Sequence, residues 1–435
     1  MIKSRKRLIW VIRSFNDVDN LLPYIDYLLS ENKLNLDIFD ISYKGVHECG
    51  NHLEYIDKKY STSPRRLIKE MPFILKNIIF IFLWFRENIP HLKNKMSIIL
   101  SLIVMRIYEK IIEYLPLRPL HKILNIDSNT IIICDVGSEV TVLGSYIVSL
   151  AERERVPVIG LMHGYSIYTN RDSLYKSRVS LGFIKRVITR LTKPVKRKKY
   201  FDCYIVGIDQ VKTIFSSRQI GIFDQDKLNR VKEVGVPRYT KEWVNIYRNE
   251  ILHNKKFFYG CNSKLNVVFF MSHPQYNADS EMIISLIERL SKIESINFVF
   301  KPHTRNHLDG FNKTIMNGFD ATTVNSVQLT EWADICIVFG SSISFQAIVD
   351  GVPVVVPSYI HSNTTILEEN NVCIDVKSEE SLIRMILEKY EFYNHVSKDK
   401  DYEFIDKYIY GGKTTHHSLM TYVDRSIESC MTNEN

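Results

Sequence analysis

The segment from Ala333 to Val354 constrains this chain more than any other. It reads as a short buried strand, a Gly340-Ser341-Ser342 turn, the first turns of a helix, a stop at Gly351, and a second strand. Strand, helix, strand in so few residues demands a parallel α/β sheet. The turn sets two hydroxyls and the unpaired backbone N–H groups of a helix start side by side, an arrangement that holds a phosphate. Some thirty residues upstream, Phe298-Val299-Phe300-Lys301-Pro302-His303 ends another buried strand with a cation and an imidazole. In a parallel sheet both strand ends open on the edge where ligands bind. The pattern predicts a nucleotide phosphate site with Lys301, His303, Gly340, Ser341 and Ser342 as candidate ligands.

Strands and helices alternate along the rest of the chain. Strands are expected at residues 8–13, 36–42, 130–135, 156–162, 203–206 and 231–236. Helices are expected at 21–29 and 140–153, with another near Asp209 to Phe215. The alternation begins again with strands at 266–271, 297–301, 335–339, 352–356 and 372–375 and a helix at 280–293. The polar, charged stretch from Tyr239 to Ser263 reads as the boundary. The expected organisation is a domain over 1–240, a second over 262–400, and a helical tail over 401–435. The fold class is α/β, two Rossmann-like domains facing a cleft.

At 435 residues the chain is too long for one core and suits two. Seven cysteines without a Cys-x-x-Cys argue against a disulfide framework or structural zinc and fit a reducing, cytoplasmic setting. Much of the net charge of +8 falls between Lys176 and Lys199, which fits an anionic surface. No nucleic-acid-binding module accompanies it, so nucleic acid is not expected as a partner. The apolar runs Phe73 to Phe85 and Met96 to Tyr108 carry Lys76 and Arg106 and fall short of the roughly 20 residues that span a bilayer. They suit either interfacial membrane helices or two buried core helices.

The candidate reacting groups lie at strand ends of the first half. His163, in Val158 to Gly164, projects from a strand end where Gly164 permits a sharp turn. Asp17 and Asp19 follow the first strand, and Asp135 and Glu139 flank Gly137-Ser138. A general base or a carboxylate nucleophile belongs among them, and Asp19, Asp135, Glu139 and His163 are the chosen candidates. The bland alternative is capping, by Asp19 of a helix at Leu21 and by Ser138 of one at Val140. Two suggestive segments carry no function. Gly411-Gly412-Lys413-Thr414 lacks the earlier glycine and the strand of a P-loop. His47-Glu48-Cys49-Gly50-Asn51-His52 lacks zinc-site spacing.

The His163-Gly164 strand end, Gly235-Val236-Pro237-Arg238, Lys301-Pro302-His303 and Ser341-Ser342 occur in that order. Together they resemble the GT-B glycosyltransferase superfamily over most of residues 130–380. The nearest likeness is to bacterial capsule and surface-polysaccharide enzymes. These include transferases of Kdo and sialic acid from CMP-sugars and the CDP-glycerol glycerophosphotransferases. The resemblance implies a peripheral enzyme on the inner face of the cell membrane, working without metal or other cofactor. It would pass a sugar from a nucleotide donor to a lipid-linked or polysaccharide acceptor. CMP-sugar members are similar in having a His-Pro and a Ser-Ser motif that hold the nucleotide. Here Ser341-Ser342 matches the second, while the first is split between His273-Pro274 and Pro302-His303. By position His303 takes the nucleotide role and His273 a leaving-group contact. UDP-sugar members often place a Glu on the helix after the glycine turn; here that place falls to Gln346, which tilts the expectation away from UDP. The rivals are a CDP-glycerol or CDP-ribitol polyol-phosphate transferase, a sugar-nucleotide epimerase of the same fold, and a non-catalytic binding protein of an assembly machinery.

Overall fold

A computed structural model describes residues 7–32, 34–42, 46, 49–88, 118–169, 201–211, 228–271, 278–302, 319–361, 363–388 and 398–432. The chain forms two compact units. One comprises Met1–Gly164, Ser180–Val234 and His417–Asn435, the other Tyr165–Val179 and Gly235–His416.

Among the described residues the first unit is built on seven parallel strands: β1 (Arg7–Ile12), β2 (Asn35–Asp40), β3 (Arg65–Arg66), β4 (Thr130–Asp135), β5 (Val158–Leu161), β6 (Cys203–Gly207) and β7 (Val231–Val234). Their order is β3-β2-β1-β4-β5-β6-β7. The run Ile131-Ile132-Ile133 is apolar without alternation because β4 is buried on both faces, as a parallel sheet requires. Each such side chain contributes roughly 1.5–3 kcal/mol on burial. The order reverses between β1 and β4. In an open α/β sheet that reversal opens a crevice at the carboxyl ends of the strands.

The second unit repeats the plan with β8 (Leu265–Phe270), β9 (Ile296–Lys301), β10 (Phe319–Asp320), β11 (Ile335–Val338), β12 (Val354–Pro357) and β13 (Ile374–Val376). Their order is β10-β9-β8-β11-β12-β13, and the strands are again parallel. The reversal lies between β8 and β11. Local signals frame the helices: Asp279 caps Ser280–Ser291, and a capping box formed by Asn325 and Gln328 opens Ser326–Trp332.

The observed elements depart from the expected ones in instructive places. The helix expected from Leu21 spans Phe15–Asn32, so Asp19 lies inside it and caps nothing. The helix expected from Val140 starts at Val142. Thr141 is its cap, accepting from Gly144 N, while Ser138 sits in a 3-10 turn, Val136–Val140. Near the expected boundary of 239–263, the chain passes from the first unit to the second at Val234 and Gly235, one of several places where it changes unit. From Gly235 to His416 the chain packs in the second unit. Val236 N donates to Tyr408 O at 3.1 Å, and a Cβ on Gly235 would stand 2.2 Å from Ile409 O.

Nor is the tail a body of its own. Helix Lys398–Phe404 belongs to the second unit. Helix His416–Thr432 packs almost wholly in the first, where Thr421 Oγ1 meets Tyr27 Oη at 2.9 Å.

Helix Phe73–Asn88 buries Leu75 and Ile79 and exposes Phe73, Ile74, Phe80, Ile81 and Trp84. Among the described residues no helix is long and apolar enough to cross a membrane. The run Met96 to Tyr108, the basic segment Lys176 to Lys199 and the helix expected near Asp209 to Phe215 fall wholly or largely outside the described residues.

Candidate functional site

Strand register assembles a charged cluster at the reversal point of the first unit. Val11 of β1 lies beside Cys134 of β4, and Asp135 lies beside Leu161 of β5. Arg13, Asp135 and His163 therefore leave neighbouring strands at one level. Asp135 is fully buried and accepts hydrogen bonds from Arg13 Nη2, from His163 Nδ1, from Gly137 N at 2.7 Å and from His163 N at 3.2 Å. Arg13 also reaches Asp17, whose Oδ2 accepts from Arg13 N at 2.8 Å and from Arg13 Nε at 3.1 Å. Gly137 is needed here: a Cβ would stand 2.8 Å from Asp135 Oδ2 and 3.1 Å from Arg13 Nη1. Gly164 turns the chain away after His163 with φ of +106°.

The electrostatics follow from this packing. Burial alone pushes the Asp135 carboxyl up, but His163, Arg13 and the Gly137 amide outweigh it and hold the group below the usual carboxylate range. Burial likewise pushes His163 down, and the charge and hydrogen bond of Asp135 outweigh that, leaving its pKa raised. With Nδ1 on Asp135, His163 presents Nε2 outward from a ring about one-third exposed. A carboxylate-oriented imidazole of this kind takes a proton from a hydroxyl. Asp17, Asp135 and His163 also place three potential metal-ligand atoms within 4.8 Å of one another. Arg13 bonds both carboxylates, so the pair is already matched to a cation, and its charge repels a second one.

Of the expected carboxylates, Asp135 joins His163 and Asp19 does not. Residues 17 and 19 lie two apart on a helix and so on nearly opposite sides. Asp17 turns to Arg13, while Asp19 Oδ1 pairs with His52 Nε2 at 3.1 Å. The side chain of Glu139 lies outside the described residues. Arg13 was missed; its signal was an arginine closing a buried strand four residues before an aspartate.

In the second unit, the reversal point carries the Gly340-Ser341-Ser342 turn. Gly340 has φ of +70°, and helix Ile343–Asp350 follows, closed by Gly351 at φ of +73°. Ser342 Oγ lies 3.0 Å from Tyr239 Oη. Gln346 is fully buried; its Nε2 donates to Asp350 at 3.0 Å, and its Oε1 has no partner among the described residues.

Lys301 departs from the expected phosphate role. Its Nζ donates to Ala321 O at 3.0 Å, Thr322 O at 2.7 Å and Val324 O at 2.6 Å, which uses all three N–H bonds. Burial draws its pKa down to about 8. It ties β9 to the segment after β10. His273 and His303 lie outside the described residues.

No protein-family model and no curated protein matches the sequence. Solved structures do match the whole chain. The glycotransferase of kitacinnamycin has a TM-score of 0.52 at 10% identity, covering 97% of this chain and 99% of that one. A putative UDP-N-acetylglucosamine 2-epimerase from Listeria monocytogenes gives 0.53 at 11%, covering 99% and 98%. TcCGT1, solved in complex with UDP, gives 0.51 at 12%, covering 98% and 100%. The two parallel sheets, each reversing after its first strand, and these likenesses give the chain the GT-B fold of two Rossmann-like units.

Proposed function

We propose that the chain is a metal-independent GT-B glycosyltransferase of bacterial surface-polysaccharide assembly. It transfers a sugar from a nucleotide donor, a CMP-linked acidic sugar of the Kdo or sialic type, to a lipid-linked glycan. The observation that carries the reading is the pairing of His163 with buried Asp135 at the first unit's reversal point. His163 Nε2 takes the proton of the acceptor hydroxyl as that oxygen attacks the anomeric carbon and the nucleotide phosphate leaves. Asp135 fixes the tautomer and stabilises the imidazolium, and Arg13 keeps Asp135 ionised. The Gly340-Ser341-Ser342 turn and the helix start behind it hold the leaving phosphate.

The fold is shared by transferases and by an epimerase, so fold alone does not choose between them. A base dyad supports proton transfer in either. The apolar exposed side of helix Phe73–Asn88 favours a transferase working at the inner membrane surface. TcCGT1 holds UDP, which supports a nucleotide donor here. The choice of CMP rests on the likeness of Ser341-Ser342 to the Ser-Ser motif of CMP-sugar members; Gln346, a buried neutral amide where UDP-sugar enzymes of this fold often carry a glutamate, weighs against UDP.

The test is a thermal-shift panel with CMP, CDP, UMP, UDP and GDP, without metal. A nucleotide at about a hundred times its Kd stabilises by roughly 2.7 kcal/mol. The expected result is a shift with CMP that is lost in S341A/S342A. A larger shift with CDP redirects the donor to a CDP-polyol, and one with UDP overturns the CMP assignment. No shift with any nucleotide overturns the donor site altogether.

A further inference from the structure

His361 stands four residues beyond Pro357, the end of β12, and β12 pairs with β11, the strand that leads into the Gly340 turn. It is 6% exposed. Its backbone is pinned by a bridge to Ala278, and its ring lies nearly parallel to that of Phe339, centroids 5.7 Å apart and planes at 20°. Phe339 immediately precedes Gly340, so the imidazole rests against the residue that leads into the turn. Tyr168 closes another side, edge-on at 6.3 Å.

The hydrogen bonding fixes which nitrogen carries the proton. Asn363 N donates to His361 Nδ1 at 3.2 Å, so Nδ1 is an acceptor and the neutral ring bears its hydrogen on Nε2. Among the described residues that Nε2–H has no partner, and it is buried. An unmet buried donor is costly, and a fold retains one most readily where a ligand completes it. A core position here would be better filled by an apolar ring of similar shape.

We propose that His361 is a nucleotide-binding residue of the second unit, its Nε2–H donating to an oxygen on the phosphate side of the bound nucleotide. The proposal rests on the nucleotide-donor reading above and adds a ligand contact to it. The oxygen belongs either to the phosphate itself or to the glycosyl group it carries; the shared chemistry is an acceptor oxygen beside the Gly340 turn. Burial lowers the imidazole pKa to about 4, so the donor stays neutral through the physiological range and its contribution does not change with pH there.

The test compares wild type, His361→Phe and His361→Gln by titration calorimetry with cytidine, CMP and a CMP-sugar. Phenylalanine keeps the stack on Phe339 and removes the donor; glutamine restores an N–H. For a phosphate oxygen, H361F binds CMP about tenfold more weakly and cytidine unchanged. For a glycosyl oxygen, the tenfold loss appears with the CMP-sugar alone. In both cases H361F melts no lower than wild type, and H361Q recovers most of the affinity. Equal binding of CMP and CMP-sugar by H361F and wild type overturns the assignment while leaving the donor site standing. Equal losses in H361F and H361Q overturn it too, since shape rather than the N–H would then be at stake. If wild type binds no nucleotide, the donor reading fails and this contact fails with it.

Discussion

Asp135→Asn removes one charge and almost no volume from the centre of the first unit. In the native chain the fully buried carboxylate accepts four hydrogen bonds, from Arg13, the His163 ring and the amides of Gly137 and His163. An asparagine offers one oxygen and turns an N–H₂ toward either the guanidinium or the imidazole N–H, leaving a buried donor facing a donor. Breaking a buried ion pair costs about 3–5 kcal/mol. Arg13 retains Asp17, so the low end applies, about 3 kcal/mol. In a unit of this size that lowers the melting temperature by about 6–12 °C.

The pH dependence sharpens the prediction. The folded pKa of His163 is raised, so its contribution to stability is full below the unfolded histidine value, about 6.5, and is lost as pH rises through the folded value. Asp135 is held low, so its contribution is present above about 3.9 and lost in acid. The variant lacks the partner that raises His163, and its stability should be flatter from pH 6 to 8 than that of wild type. Urea unfolding at pH 6, 7 and 8 measures this, and fully buried Trp10 on β1 reports the first unit by fluorescence. Stability within about 0.5 kcal/mol of wild type, the scatter of an ordinary surface change, would refute the buried-pair reasoning. So would an unchanged pH slope.

Two further outcomes follow from the structure. Lys301→Met strands the carbonyls of Ala321, Thr322 and Val324 and should destabilise the second unit by about 2–4 kcal/mol. Nucleotide affinity should hold in the folded protein, and calorimetry showing lost affinity at unchanged stability would return Lys301 to the phosphate site. Phe80→Glu with Trp84→Glu should weaken sedimentation with anionic lipid vesicles about a hundredfold, from two lost apolar insertions. Unchanged sedimentation would remove this helix from the membrane contact.

The fold was legible where burial on both faces wrote itself into unbroken apolar runs. Thr130 to Asp135 and Ile335 to Val338 show this, and so does the glycine stop at Gly351. Asp135 and His163 were legible as strand-end groups because parallel strands deliver their ends to one edge. Three features were not. Helix Phe15–Asn32 starts early, and only its phase reveals that Asp17 rather than Asp19 reaches the cluster. Lys301 looked like a phosphate ligand because sequence cannot show that three carbonyls from residues 321–324 close over it. The division of the tail between units depends on contacts such as Val236 with Tyr408, which span more than a hundred and seventy residues of chain.

The measurement that bears most directly on the account is release of CMP from a CMP-linked Kdo or sialic acid donor. It uses vesicles carrying lipid-linked glycan acceptor and compares wild type with His163→Ala. Wild type should release CMP only when acceptor is present, and H163A should be slower by about 10²–10⁴-fold with unchanged CMP affinity. Turnover by H163A at the wild-type rate would contradict the assigned base. Nucleotide binding by wild type without turnover of any donor would mark the chain as a binding protein that keeps the fold of an enzyme.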